Sequence, residues 1–231
     1  MIPCLPIYLI TLREQLDGRL YLLPWPQIVT ETETLIPQNP SYYAPSHFKL
    51  IYDVSGDKRW LDLADTAYNL LETLQNSFNG KKGSGLVPDW CAIDRQGKII
   101  PLPGRSPLYG WEAARTPLRI AADYHLSHDP RALGVLKRFS AFFESEFSRN
   151  SKIFSEYACD STTSNPYETP LFYSAAYAAA EAADSPIATP ILARLRTFIK
   201  QEGEEFWYQD SDDYYVNSLS WLVEYYQTKK K

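Results

Sequence analysis

Apolar side chains recur every three or four positions through most of the chain. Trp60, Leu63, Ala64, Ala67, Leu71 and Leu74 form one stripe, the spacing that lines a single helix face. Asp57 stands where an N-cap carboxylate would accept the free amides of the first turn, and Asn79, Gly80, Gly83 and Gly85 end the pattern. Leu133, Leu136, Phe139, Phe143 and Phe147 repeat it. There the entry is Asp129-Pro130, a cap followed by proline at the first helical position. Ser185-Pro186 opens a third stripe through Ile191, Leu192, Leu195, Phe198 and Ile199. Shorter helical patterns cover 43–54, 112–126, 168–183 and 214–227. Residues 1–45 read as an irregular lead-in, because Pro24, Pro26, Pro37, Pro40 and Pro45 interrupt every helical candidate. No run alternates as a half-buried strand does, so strand is expected only in short pieces near Pro101 and Pro103.

The pattern predicts an all-α protein. The Asp-x-Arg segments at 57–59 and 129–131 align, as do Leu61 and Leu133, and each such helix follows another helix and a long loop. Repetition of that kind marks stacked helical hairpins, in a solenoid or a closed α/α ring. The 231 residues are 45% hydrophobic and 22% charged, which suits one folded domain over 1–231 and excludes a disordered chain. No apolar run reaches the length of a membrane span. The net charge is −5 and the only basic run is Lys229-Lys230-Lys231, so nucleic acid is not an expected partner. Cys4, Cys91 and Cys159 form neither a disulfide framework nor a metal motif. The apolar start, Met1 to Ile10, lacks the basic region and cleavage site of a signal peptide and reads as a buried segment.

Candidate chemistry narrows quickly. His125-x-x-His128-Asp129 reads better as a helix end running into an N-cap than as a metal site, and no H-E-x-x-H occurs. Asp210, Asp212 and Asp213 lack the glycine and distal glutamate of a calcium loop. Leu108 stands where a nucleophile elbow around Ser106 needs glycine. No phosphate-binding or dinucleotide fingerprint is present, so no cofactor and no metal are expected. Tyr (17) and Trp (6) are abundant, which suits either a large core or a surface that stacks on rings. Three segments concentrate Trp, Tyr, Arg and carboxylates at loop-to-helix junctions: 39–45, 85–90 and 109–117. In the last, Glu112 and Arg115 are three apart and share a face of a helix start, where the helix end and the arginine favour an ionised carboxylate. That pair is either a capping ion pair or a general base with its orienting cation.

These segments resemble glycoside hydrolase family 8, the family of bacterial endo-β-1,4-glucanases. Its pattern N-P-S-Y-F/Y-A-P stands at Asn39–Pro45, G-D-x-x-W-x-x-L-A at Gly56–Ala64, and G-L-x-P-D-W at Gly85–Trp90. The segment Y-x-Y-D-A-x-R-T/V-P-W-R-I-A-x-D-Y stands at Tyr109–Tyr124, and Tyr214–Leu222 is similar to the family's last inner helix. The resemblance implies an (α/α)6 ring of the six-hairpin glycosidase type and inverting hydrolysis of β-1,4-glucan. It implies Glu112 as general base, with Tyr42 and Arg115 orienting the attacking water. Trp90, Trp111, Tyr109 and Asp89 are the implied substrate-binding candidates, with Trp90 and Trp111 either stacking on sugars or filling the core. Three departures qualify it. The family's catalytic acid, in E-G-x-x-Y-G-M, and the D-x-D-x-D-I-A helix after it do not occur, so the expectation is an incomplete ring that begins after both. The base position holds Glu112 where the family has Asp, and Leu118 replaces a Trp. The implied partners are a β-glucan and a separate N-terminal fragment. The family is usually secreted or periplasmic. The rival reading is a non-catalytic glucan-binding or vestigial helical protein; a polysaccharide lyase on a similar ring fits the ordered motifs less well. Asp89 and Glu168 are the alternative proton donors.

Overall fold

Aspartate and proline punctuate the chain into seven α-helices in the computed structural model, which describes residues 12–14, 18–25 and 35–228. They are α1 (Pro45–Ser55), α2 (Arg59–Asn76), α3 (Arg115–Ser127), α4 (Pro130–Asn150), α5 (Pro170–Ala182), α6 (Ala188–Arg196) and α7 (Tyr214–Thr228). The two Asp-x-Arg segments build the same fork, with Asp129 as the N-cap of α4 and Asp57 one residue before the N-cap Lys58 of α2. Asp57 Oδ1 accepts the Arg59 amide at 3.1 Å and its Nε at 2.9 Å; Asp129 Oδ1 accepts the Arg131 amide at 2.9 Å and its Nε at 3.1 Å. Each fork satisfies an orphan amide and tethers an arginine on the first turn. His128 closes α3 in the left-handed region at φ 51°, directly before that second cap, and His125 pairs with Glu181.

The apolar stripes then decide the packing. Trp60, Leu63, Ala64, Ala67, Leu71 and Leu74 are all buried, as are Leu136, Phe139 and Phe143, while Leu133 and Phe147 are half-buried. α1, α3, α5 and α7 lie side by side in one row, and α2 and α4 pack together in a second layer. α5 is the central element: every residue except Glu181 is buried, and its six alanines let α3, α4, α6 and α7 approach closely. No described helix is long and apolar enough to cross a membrane.

Strand is more common than the sequence pattern predicted. β7 (Ile99–Ile100) does end at Pro101, but ten further short strands occur. β3 (Leu35–Gln38) pairs antiparallel with β6 (Cys91–Asp94), which pairs with β7. The rest are two-stranded: β1 (Leu12–Glu14) with β2 (Leu20–Leu22), β4 (Ser77–Phe78) with β5 (Lys81–Lys82), β8 (Glu156–Tyr157) with β9 (Thr163–Asn165), and β10 (Ile199–Glu202) with β11 (Glu205–Tyr208). At two to four residues, such strands are too short to show an alternating period. The lead-in is therefore not irregular throughout, since β1, β2 and β3 fall within it. Asn79-Gly80, expected as a helix end, is a hairpin turn with both residues at positive φ (51° and 74°). Phe198 and Ile199 lie past the end of α6, and Ile199 begins β10. Residues 1–10, Cys4 and the Lys229–Lys231 tail lie outside the described residues.

One glycine locks α2 to α4. Gly85 has φ 92°, and a Cβ there would lie 2.7 Å from the Arg138 carbonyl oxygen. Its own carbonyl accepts Gln75 Nε2 at 2.8 Å, and that nitrogen also reaches Val135 O at 3.1 Å. Gly85→Ala is expected to cost about 1–3 kcal/mol from backbone strain alone, with the clash adding to it. A shift of the urea midpoint at unchanged slope measures this; a midpoint equal to wild type would contradict it.

Candidate active site

The starts of α1, α3 and α7 meet at one end of the helix row. A single 3₁₀ turn, Pro40–Tyr42, leads from β3 into α1, and Asn39 caps it by accepting the Ser41 amide at 3.0 Å and its hydroxyl at 2.7 Å. That cap leaves Asn39 Nδ2 free to donate to Glu112 Oε2 at 3.0 Å. Glu112 sits in the turn before α3, and Arg115 is the first residue of that helix. Arg115 Nη2 donates to the same Oε2 and to Ser41 Oγ at 2.8 Å, while its Nε reaches Ser41 Oγ at 3.1 Å and the Glu112 carbonyl at 3.2 Å. The guanidinium also lies 5.3 Å from the Tyr42 ring centroid and 5.9 Å from that of Tyr215, so two aromatic faces and a serine fix its plane. Tyr215 OH in turn donates to the Trp111 carbonyl at 2.8 Å.

Glu112, Arg115 and Tyr42 are thus brought together. Every described hydrogen bond to the Glu112 carboxylate falls on Oε2, and its side chain is 36% exposed. Oε2 is clasped by two donors, and no described hydrogen bond reaches Oε1. Arg119, one turn further along α3, is half-buried; burial and the neighbouring Arg115 hold its pKa below the usual arginine value, while Tyr215 and Tyr42 work against this.

The substrate candidates divide. Trp111 is half-buried and packs edge-to-face on Phe172 at 5.8 Å. Trp90 packs against Tyr42 at 5.9 Å and Trp25 at 5.7 Å, with the Arg105 guanidinium 5.0 Å from its ring. Trp90 is mostly buried, and the exposed ring of this row is Trp25. Tyr109 is a correction. It is 0% exposed, walled by Phe139, Phe143 and Phe172, and pairs with Tyr157 through its backbone, so it is a core residue. Asp89 is another. It is 6% exposed, and its Oδ1 accepts the amides of Gly110 and Ala113 rather than facing a ligand. Glu168 is held by Arg194 through both oxygens, at 3.0 and 2.9 Å, and by the Tyr173 hydroxyl at 2.5 Å. Burial acts to raise its pKa, but those donors bring it below the usual carboxylate value. Leu118 is buried within α3. Among the described residues no cluster of three His, Cys, Asp or Glu side chains is placed to hold a metal ion.

The sequence reading left Asn39 and Ser41 without a role, although both belong to a segment it singled out. Tyr215 carried a weaker signal, as one of several tyrosines in a helical stripe. Trp25, between two prolines, and Arg105 carried none.

The family model described as Glycosyl hydrolases family 8 matches residues 9–229. Endoglucanase A of Acetivibrio thermocellus is 37% identical over 105 residues, covering 46% of this chain and 20% of that protein. Endoglucanase C of Ruminiclostridium cellulolyticum is 30% identical over 142 residues, covering 62% of this chain and 28% of its own length. Among solved structures, an endo-1,4-D-glucanase from Vibrio fischeri superposes with a TM-score of 0.73 at 18% identity, covering 96% of this chain and 60% of that one. The endo-β-1,4-glucanase CMCax from Acetobacter xylinum gives 0.67 at 20% identity, covering 97% and 61%. The chain therefore spans less than two thirds of the relatives it matches.

Proposed function

The chain belongs to glycosyl hydrolase family 8, and from that membership we propose that it acts on β-1,4-glucan as the base-bearing part of an inverting hydrolase. The observation that carries this is the clasp on Glu112. A general base must hold one orientation while keeping an oxygen open to water. Asn39 and Arg115 hold Oε2, and no described hydrogen bond reaches Oε1. In this reading Glu112 Oε1 takes a proton from water as that water attacks the anomeric carbon, and Arg115 and Tyr42 fix the water's approach. Trp111, Trp90 and the exposed Trp25 supply faces on which sugar rings stack.

Inversion also requires a protonated carboxylic acid about 6.5–9.5 Å from the base. Neither alternative donor suits the task, because Asp89 is engaged by backbone amides and Glu168 by Arg194 and Tyr173. We read the helix row as an incomplete arc of the six-hairpin ring. Support comes from its end helices: α1 exposes Leu50 and Val54 (84%), and α7 exposes Tyr214 (79%), Trp221, Leu222 and Tyr225. A helical partner covering those edges would carry the acid.

The test uses cello-oligosaccharides and mixed-linkage β-glucan with the 231-residue chain. Calorimetry is expected to detect oligosaccharide binding, with reducing ends released slowly, since general-acid protonation is worth about 10²–10⁴ in rate. Proton spectra of the first product should show the α-anomer. A β-anomer would overturn inversion, and absence of binding would overturn the glucan reading. Binding without any release would favour the non-catalytic alternative.

A further inference from the structure

The carboxylate of Asp89 is aimed at the backbone that carries Glu112. Its Oδ1 accepts the amides of Gly110 (3.1 Å) and Ala113 (2.7 Å), the residues that bracket Trp111 and Glu112. A Cβ on Gly110 would lie 2.5 Å from Oδ2, so the carboxylate occupies the space a side chain would need there. Asp89 is itself anchored: its amide donates to Leu108 O at 2.6 Å, and the Trp90 amide to Ser106 O at 3.1 Å. α3 has no side-chain cap from its own Ala114. Asp89 does that work from more than twenty residues upstream, satisfying two amides of the turn that enters the helix.

We propose that Asp89 is a positioning residue, whose ionised carboxylate holds the Gly110–Ala113 turn so that Glu112 stands between Asn39 and Arg115. The inference deepens the reading of Glu112 as general base and rests on it. Loss of the charge weakens both amide bonds at once, because charge-assisted hydrogen bonds are roughly twice as strong as neutral ones. The turn then loosens, and Glu112 with it.

The electrostatics give this hold a pH range. Burial pushes Asp89 up to about 6, against the opposing pull of the Ala113 and Gly110 amides and the Ser106 hydroxyl. Glu156 of β8 adds to the rise, and Tyr109, Cys159 and Tyr215 of α7 also face the group. A carboxyl raised on folding contributes stability below its unfolded value of about 3.9 and loses it as pH rises through the folded value. Ionised Asp89 at neutral pH is therefore held at a cost to stability. Packing alone gives no reason for that cost; positioning does.

The experiment follows amide and Arg115 Nε–H resonances of the ¹⁵N-labelled full chain against pH, in wild type, Asp89→Asn and Gly110→Ala. In wild type, Gly110, Ala113 and Arg115 are expected to titrate together with a midpoint near 6. Asp89→Asn should abolish that midpoint, displace the Arg115 signal, and flatten the stability decline between about pH 4 and pH 6. Gly110→Ala, which drives a methyl into Oδ2, should displace the same signals by an independent route. On an activated aryl cellobioside, kcat should fall by about a hundredfold in both variants with KM nearly unchanged, the scale of a 1 Å misplacement. A wild-type midpoint near 4, or an Arg115 signal and kcat unmoved by Asp89→Asn, overturns the proposal. Should Glu112→Gln retain turnover while the titration behaves as expected, the base assignment fails and the hold of Asp89 on the turn stands.

Discussion

Glu112→Gln is expected to lower the release of dinitrophenolate from 2,4-dinitrophenyl β-cellobioside by about 10²–10⁴-fold, the usual worth of a positioned general base. That substrate isolates the base step, because dinitrophenolate departs without being protonated. The effect then does not depend on a general acid. Gln keeps the shape of Glu112 and can still accept from Asn39 Nδ2 and Arg115 Nη2, the two donors on Oε2. What it loses is the ability of the atom at the Oε1 position to take a proton from water. Oligosaccharide affinity should therefore change little, and the loss should appear in kcat rather than KM. A variant within about threefold of wild type would place the base elsewhere and return the Glu112–Arg115 pair to the role of a helix-capping ion pair, typically worth under about 1 kcal/mol.

Much of that site was readable before any coordinates because its chemistry is local. Glu112 and Arg115 share a face by their spacing alone, and the helix entries at Asp57 and Asp129 carry a carboxylate that accepts a first-turn amide. The long-range parts were not readable. Asn39 meets Glu112 across a gap of 73 positions, and Ser41 meets Arg115 across 74. No periodicity encodes such a meeting; it depends on β3 pairing with β6 and on α1 lying beside α3. The same limit explains the two corrections. Asp89 and Tyr109 belong to segments rich in site-like residues, yet a sequence does not say which side of a loop faces inward. Asp89 turns toward Gly110, and Tyr109 turns toward Phe139 and Phe172. Short strands were missed for a different reason: two residues of pairing, as in β4 and β5, leave only the Asn79-Gly80 turn as a signal.

Asp123→Ala is expected to destabilise the fold by about 3–5 kcal/mol, the cost of removing one partner from a buried ion pair. Asp123 lies in α3, and its side chain is fully buried. Its Oδ2 accepts Lys49 Nζ of α1 at 2.7 Å and the Tyr68 hydroxyl of α2. Lys49 Nζ also reaches Asp129 at 3.1 Å and Ser127 Oγ at 3.0 Å, so one ammonium joins α1 to the junction of α3 and α4. Burial and then the Asp123 carboxylate raise the Tyr68 pKa, so that phenol stays a donor and needs an acceptor. Removing the carboxylate strands a buried hydroxyl beside a cation. Two features temper the loss. Lys49 keeps Asp129 and is 24% exposed, and Asp123 Oδ1 has no hydrogen-bond partner, so the native pair is not fully satisfied. The lower end of the range, about 3 kcal/mol, is the expected value. Asp123→Asn keeps an acceptor for Tyr68 and should cost less. A Lys49→Ala, Asp123→Ala cycle in urea at pH 7 separates the pair's coupling from cavity effects. A loss below about 1 kcal/mol for Asp123→Ala would mean that apolar packing alone holds α1 to α3.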